Sequence, residues 1–248
     1  MEHLIPNKII RKRNHLLDGK DTNAYRLVHG AGDGFKGFYL DRLGDYLLAS
    51  KESEPSQSEK DLTIAWMSQL ESRGAYFKRL ERQLRKTDKQ ISSPKIWLGE
   101  SGNSDSPIVE NGLHYLVRFD EGYSVGIFLD QRENRKRWLK GQVNSGFLMD
   151  LKSLVSGEVL NTFSYTCPFS VSVARSGLRS VSLDLSKKYL DWGRHNFELN
   201  QLNPDEHDFI YGDVFDWMRR FRNRGRTFSG IILDPPTFSK APKSKKMF

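Results

Sequence analysis

Residues 157–236 read GEVLNTFSYTCPFSVSVARSGLRSVSLDLSKKYLDWGRHNFELNQLNPDEHDFIYGDVFDWMRRFRNRGRTFSGIILDPP, and this stretch decides the fold. Strand and helix patterns alternate along it with short connections. GEVLNTFSY (157–165) predicts a strand and PFSVSVARSG (168–177) a helix closed by Gly177. RSVSLDLS (179–186) predicts a strand, and KKYLDWGRHNFELNQL (187–202) a helix. HDFIYGD (207–213) is a third strand, VFDWMRRFRNRG (214–225) a helix with a basic end, and FSGIILDPP (228–236) a fourth strand. Four strands alternating with helices predict a parallel, doubly wound α/β sheet.

Such sheets bind ligands outside the carboxyl ends of their strands, near the switch point of strand order. The first strand ends at Tyr165-Thr166-Cys167-Pro168, the second at Asp184, the third at Asp213 and the fourth at Asp234-Pro235-Pro236. Asp184 lies 18 residues beyond Thr166, close to the spacing of an acid that holds ribose hydroxyls. Aspartate is also a common helix cap, and any one of the three acids can be read that way. Their succession at three strand ends points to a nucleoside site. The loop YTCPFS lacks the glycines a pyrophosphate needs. A nucleoside without phosphates fits better, S-adenosylmethionine being the common one. Asp184 would hold its ribose and Asp213 would face its adenine, while loop 163–170 would border its methionine part. The expected cofactor set is Phe163, Tyr165, Thr166, Asp184, Ser186, Asp213 and Asp234.

Upstream, IFLDQRENRKRWLK (127–140) predicts a basic amphipathic helix leading into the sheet domain, expected over 126–248. Residues 1–125 read as a separate α+β domain. A short basic helix spans 4–17, and the Gly-rich stretch 25–50 predicts a β-meander with turns at Asp33-Gly34 and Leu43-Gly44-Asp45. The Ser-rich segment 51–61 reads as a loop. Leu62, Ala65, Trp66 and Leu70, then Phe77, Leu80 and Leu84 after an interruption at Gly74, carry helical spacing over 62–88. Residues 91–126 read as strands and loops. His114 and His195 read as strand and helix-surface residues, and no His/Cys spacing suggests a metal site.

Lys and Arg number 39 against 31 Asp and Glu, a net charge of +8 over 248 residues. The excess is clustered, notably at Arg11–Arg13, at Lys78–Lys89, at Arg132, Arg135 and Arg137, and at Arg219, Arg222 and their neighbours up to Arg226. Each cluster alone reads first as a solvated helix face; together they suit a polyanion such as RNA. No apolar run approaches the roughly 18 residues of a membrane span. The N-terminus lacks a secretory h-region. One cysteine, Cys167, excludes an intrachain disulfide and suits a reducing, cytoplasmic setting.

VLNTFSYTCPFS, SLDLS, YGDVFDW and ILDPPTFSK resemble the class I S-adenosylmethionine-dependent methyltransferases of large-subunit ribosomal RNA, most nearly the 23S rRNA cytosine-C5 family. YRLVHGAGDGFKGFYLDRLGDYL is similar to that family's central, RNA-binding domain, and GIFLDQRENRKRW to its linker. The resemblance covers roughly residues 8–240. It implies a Rossmann-like catalytic domain of which about four strands are present, without the family's N-terminal PUA domain. The cysteine that adds to cytosine would then lie beyond residue 248. An open sheet edge and self-association through it are expected of such a chain.

The resemblance further implies that Asp234 hydrogen-bonds a flipped base, that Pro235 and Pro236 present carbonyls to it, and that Phe238 stacks on it. Phe238 can equally be a core aromatic. Cys167 reads as a nucleophile or as a small residue packed beside the cofactor. Arg132, Arg135, Arg137, Arg219 and Arg222 would track phosphates. Two further readings stand beside the cytosine-C5 one. The chain could be a catalytically inactive fragment with residual binding. It could also be an amino-group methyltransferase, because Asp-Pro-Pro-x-Phe also resembles the motif of those enzymes.

Overall fold

A computed structural model describes residues 5–17, 20–80, 93–122, 124–144, 146–148, 150, 153 and 157–236. Two compact units emerge from it, Met1–Asp130 and Gln131–Phe248.

In the first unit, helix α1 (Asn7–Leu17) precedes a meander of β1 (Ala24–His29), β2 (Tyr39–Leu43) and β3 (Tyr46–Lys51). β1 pairs antiparallel with β2, with a bulge between Arg26 and Val28, and β2 pairs antiparallel with β3. The expected meander is therefore present. Helix α2 (Gln57–Leu70) then crosses over to β4 (Gly74–Arg79), which pairs parallel with β3, and β5 (Lys95–Gly99) closes the sheet antiparallel to β4. The order is β1-β2-β3-β4-β5. Ile9 of α1 and Leu62 and Trp66 of α2 share one core with Tyr25, Leu27, Leu40, Leu47 and Ala75. A hairpin of β6 (Ser106–Glu110) and β7 (Leu113–Val117) completes the unit.

Two expectations fail here. The Ser-rich segment is a loop only to Ser56. Ser56 and Glu59 form a capping box, each side chain accepting the other's backbone N–H, and the helix starts at Gln57. The helical spacing of 62–88 does not continue past Leu70, because Gly74–Arg79 is a strand. Pairing on both sides, with β3 and β5, outweighs the local pattern, and a Cβ at Gly74 would collide with the Glu100 carbonyl. Leu84 lies outside the described residues.

The second unit opens with α3 (Arg132–Lys140) and a small hairpin of β8 (Gln142–Asn144) and β9 (Phe147–Leu148). Then come β10 (Glu158–Thr162), α4 (Pro168–Arg175), β11 (Arg179–Asp184), α5 (Lys187–Leu199), β12 (Asp208–Tyr211), α6 (Val214–Asn223) and β13 (Gly230–Leu233). The strands are all parallel, in the order β12-β11-β10-β13. This is a Rossmann-like doubly wound sheet. The chain steps outward from β10 to β12 and then returns to β10's other side, which places the switch point between β10 and β13.

Alternation along the strands supplies two cores. Val159 and Ile232 face Phe169 and Val173 of α4, with Trp138 of α3 packed alongside. Leu160, Val181 and Leu183 face Val214 and Phe221 of α6. Helices thus cover both faces. The second cover does not reach β13, where Ile231 and Leu233 stand 51% and 68% exposed.

Candidate functional site

Because the four strands are parallel, their carboxyl ends share one edge of the sheet, and the segments read as a site lie along it. The loop after β10 is conformationally demanding. Phe163, Tyr165 and Cys167 all have φ between 51° and 62°, a left-handed conformation that costs a non-glycine residue free energy. Such strain persists only where the surroundings hold it, and four contacts do so. The Tyr165 N–H donates to Asp184 Oδ2 at 2.8 Å, and the Ser164 N–H to the Leu183 carbonyl at 3.1 Å. Asn196 Nδ2 of α5 donates to the Thr166 carbonyl at 2.9 Å. Cys167 seats on Gly193 of α5, where an added Cβ would lie 2.5 Å from Sγ.

Asp184 is the centre of this arrangement. Its Oδ1 accepts the Ser186 N–H at 2.8 Å while Oδ2 holds Tyr165. Burial pushes its carboxyl above the usual carboxylate range, against the opposing pull of the Tyr165, Ser186 and Leu185 N–H groups. A half-buried carboxylate accepting backbone N–H groups still has lone pairs to offer vicinal hydroxyls. The Tyr165 ring packs edge-on to Tyr189, centroids 4.6 Å apart, giving the loop an aromatic flank.

The other anticipated residues fall as follows. Ser186 caps α5 by accepting the Tyr189 N–H, and Asp213 caps α6 by accepting the Asp216 N–H at 3.0 Å. The capping role of Asp213 is thus present, and it occupies one of its two oxygens. Thr166 is fully buried and supports the loop from below. Phe163 is half-buried against the α6 core. Asp234, Pro235 and Pro236 are exposed at the end of β13. Phe238 lies outside the described residues.

Among the arginines, Arg132, Arg137, Arg219 and Arg222 keep solvent contact, Arg132 beside Glu133 and Arg219 beside Asp216. Arg135 does not. It is 2% exposed with its guanidinium over the Phe169 ring, so it joins α3 to α4 and is withdrawn from any phosphate. Arg226 is half-buried and engaged by two acids, bridging Glu158 and Asp208.

Cys167 is fully buried, and burial pushes its thiol up to about 12, with the Ser182 and Ser164 hydroxyls pulling only partly back. No thiolate forms there near neutral pH, which removes the nucleophile reading.

Sequence reading missed the supports of the loop. Asn161, Ser170 and Ser182 form a buried chain, with Asn161 Nδ2 donating to Ser170 Oγ at 2.9 Å and Ser182 Oγ to Ser170 Oγ at 2.8 Å. Their signal was present, since serines occupy inward positions of both the β11 and α4 patterns. Asn196 gave none, because an asparagine on a helix is ordinarily exposed.

The described residues contain no group of three or more His, Cys, Asp or Glu able to hold a metal, and no helix long and apolar enough to cross a membrane.

Comparison with known proteins bears directly on this edge of the sheet. The family model described as S-adenosylmethionine-dependent methyltransferase matches residues 25–244. The ribosomal RNA large subunit methyltransferase I of Shigella dysenteriae is 33% identical over 227 residues, 91% of this chain and 54% of the relative; the Escherichia coli protein of that name matches equally. The chain therefore spans about half the length of the curated relatives it matches. A crystal structure of the methyltransferase SMU.776 complexed with SAH superimposes with a TM-score of 0.78 at 32% identity, covering 96% of this chain and 57% of that one. A SAM-dependent methyltransferase from Streptococcus mutans gives 0.77 at 32% identity, covering 98% and 60%. With its parallel sheet, its braced loop after the first strand and its acidic strand ends, the chain belongs to the S-adenosylmethionine-dependent methyltransferase family.

Proposed function

We propose that the strand-end edge of the second unit binds S-adenosylmethionine and that the chain is the part of a methyltransferase that presents this cofactor to a base of large-subunit ribosomal RNA. The observation that carries the reading is Asp184. A half-buried carboxylate gripping the loop after the first strand, at the edge where such folds hold nucleosides, suits a ribose. The residues fit the cofactor's chemistry. The loop lacks a phosphate cradle, and Asp213 keeps one carboxylate oxygen beyond its cap bond for an adenine amine.

When bound, the cofactor supplies a methyl group on a sulfonium, an electrophile that requires alignment more than activation. Asp184 would fix the ribose and the strained loop would hold the methionine end. Asp234 and the exposed Pro235-Pro236 backbone, with Phe238, would meet the extruded base. Arg132, Arg137, Arg219 and Arg222 would contact the RNA backbone.

The family resemblance favours cytosine C5 of 23S rRNA. A second reading, transfer to an exocyclic amino group, rests on the Asp234-Pro235-Pro236 segment, which also resembles the motif of amino-group methyltransferases. C5 transfer also needs a thiolate to add to the ring, a part that buried Cys167 does not supply. Transfer to nitrogen needs no thiol.

Calorimetry of the chain with S-adenosylmethionine tests cofactor binding. Incubation with undermethylated ribosomal RNA, followed by nucleoside analysis, tests the rest. 5-Methylcytidine supports the first reading and an N-methylated base the second. A folded chain that binds no cofactor overturns both.

A further inference from the structure

Helix α1 carries Lys8, Arg11, Lys12 and His15 at i, i+3, i+4 and i+7, one continuous stripe, and all four are exposed. The opposite side holds the core residue Ile9 and the buried Arg13. Residues 7–17 contain no acid. Lys8 in the first turn opposes the helix macrodipole, so it does not stabilise the helix.

One carboxylate answers the helix. Asp33 accepts Arg13 Nη2 at 2.5 Å, Lys12 Nζ at 2.9 Å and the His29 N–H at 2.8 Å. Burial raises its carboxyl, and these three donors more than reverse that, leaving it well below the usual range. Asp33 is thereby spent. Among the described residues, Lys8, Arg11, His15 and Lys36 have no ion pair or side-chain hydrogen bond.

Lys12 also donates to the Gly32 carbonyl at 2.9 Å, which brings the stripe against the glycine-rich turn 30–37. That turn is open. Cβ atoms built at Gly32, Gly34 and Gly37 would meet nothing within 4 Å. The backbone N–H groups of Lys36 and Gly37 donate to no group among the described residues. Unpaired cations beside two free, sterically open N–H groups match the oxygen-rich, extended charge of a phosphodiester chain.

We propose that the outer stripe of α1 and the turn 30–37 form a docking surface for a single-stranded RNA backbone. The choice of RNA over another polyanion rests on the function proposed above; the surface itself rests on the unpaired charges and open turn. It lies in the first unit.

The test uses the full 248-residue chain. Fluorescence anisotropy of a labelled single-stranded RNA is followed across a potassium chloride series for the wild type, for K8Q/R11Q/K36Q and for the charge-keeping K8R/R11K/K36R. None of the three side chains has an internal partner, so both variants should melt with the wild type. Loss of three phosphate contacts should lower the salt slope by about 2 and weaken binding roughly 50-fold at 0.15 M salt. The charge-keeping variant should retain both. Equal affinity and slope in all three proteins would overturn the surface while leaving the RNA reading intact. A wild type that binds the cofactor but no RNA would overturn both. Binding to phosphatidylserine vesicles in place of RNA would assign the stripe to a membrane and also overturn the proposal.

Discussion

The backbone N–H of Tyr165 donates to Asp184 Oδ2 at 2.8 Å, tying the loop after β10 to the end of β11. One carboxylate therefore braces a strained loop, and under the proposed function it would also receive the ribose. Asp184→Ala should lose both, weakening S-adenosylmethionine about tenfold or more by calorimetry. Burial raises the Asp184 carboxyl, so its protonated form is favoured in the folded chain. Its contribution to stability is thus greatest below the ordinary carboxylate range and declines as pH rises through the raised value. Cofactor affinity should run the opposite way, falling on acidification at a higher pH than an ordinary aspartate would give. Wild-type affinity for the cofactor in Asp184→Ala would remove Asp184 from the site.

Cys167 and Gly193 should behave as one packing unit. Gly193→Ala places a Cβ 2.5 Å from Sγ and 2.9 Å from Cβ of Cys167. Overpacking of this kind costs about 1–3 kcal/mol. Pairing it with Cys167→Ala should restore only part of the loss. Pairing it with Cys167→Gly should restore more, since glycine removes both atoms and accepts φ 62°. Denaturant melts of the wild type, the three single variants and the two double variants make the two double-mutant cycles. Additive losses would show that the two positions do not press on each other.

The same thiol should be inert. In the folded chain it should resist iodoacetamide at pH 8–9 and react once unfolded. Its folded value is about 12, whereas the unfolded thiol ionises near 9. Its stabilising contribution is therefore intact below about pH 9 and is lost as pH rises towards 12. Wild type should accordingly lose stability relative to Cys167→Ala over that window. Rapid native alkylation would show that the loop opens.

Arg226 should be structural although it belongs to a basic run. It donates to Glu158 at 2.8 and 2.9 Å and to Asp208 at 2.6 Å, and Arg179 closes the network on the same two acids. Arg226→Ala should cost about 2 kcal/mol in thermal or chemical melts, leaving two acids facing one arginine. Arg222→Ala, exposed on α6, should cost little stability while weakening RNA binding. The reverse pattern would exchange their roles.

β13 exposes Ile231 and Leu233 on the side of the sheet that α6 leaves bare. The chain should self-associate with rising concentration in sedimentation velocity, and Leu233→Lys should suppress it. A monomer at all concentrations would show that the exposed side chains do not mediate contact.

The alternation of strand and helix over 157–236 determined the parallel sheet, because period-2 and period-3.6 patterns survive in sequence without any knowledge of neighbours. Acids at three strand ends were likewise legible as a row along one edge of that sheet. Local pattern failed where pairing partners outvoted it. Gly74–Arg79 carries helical spacing yet lies between β3 and β5, a position only long-range register can assign. Charge failed in the same way. Arg135 and Arg226 are indistinguishable in sequence from the solvated arginines beside them, and only the fold places one over Phe169 and the other between two acids. The braces of the loop after β10, Asn196 at Thr166 and Gly193 beneath Cys167, join residues 26 to 30 positions apart. Sequence names the groups that can bond or collide. Which of them meet is decided by the packing of α5 across the sheet, since hydrogen bonds and steric contacts act over a few ångströms of space whatever the separation along the chain.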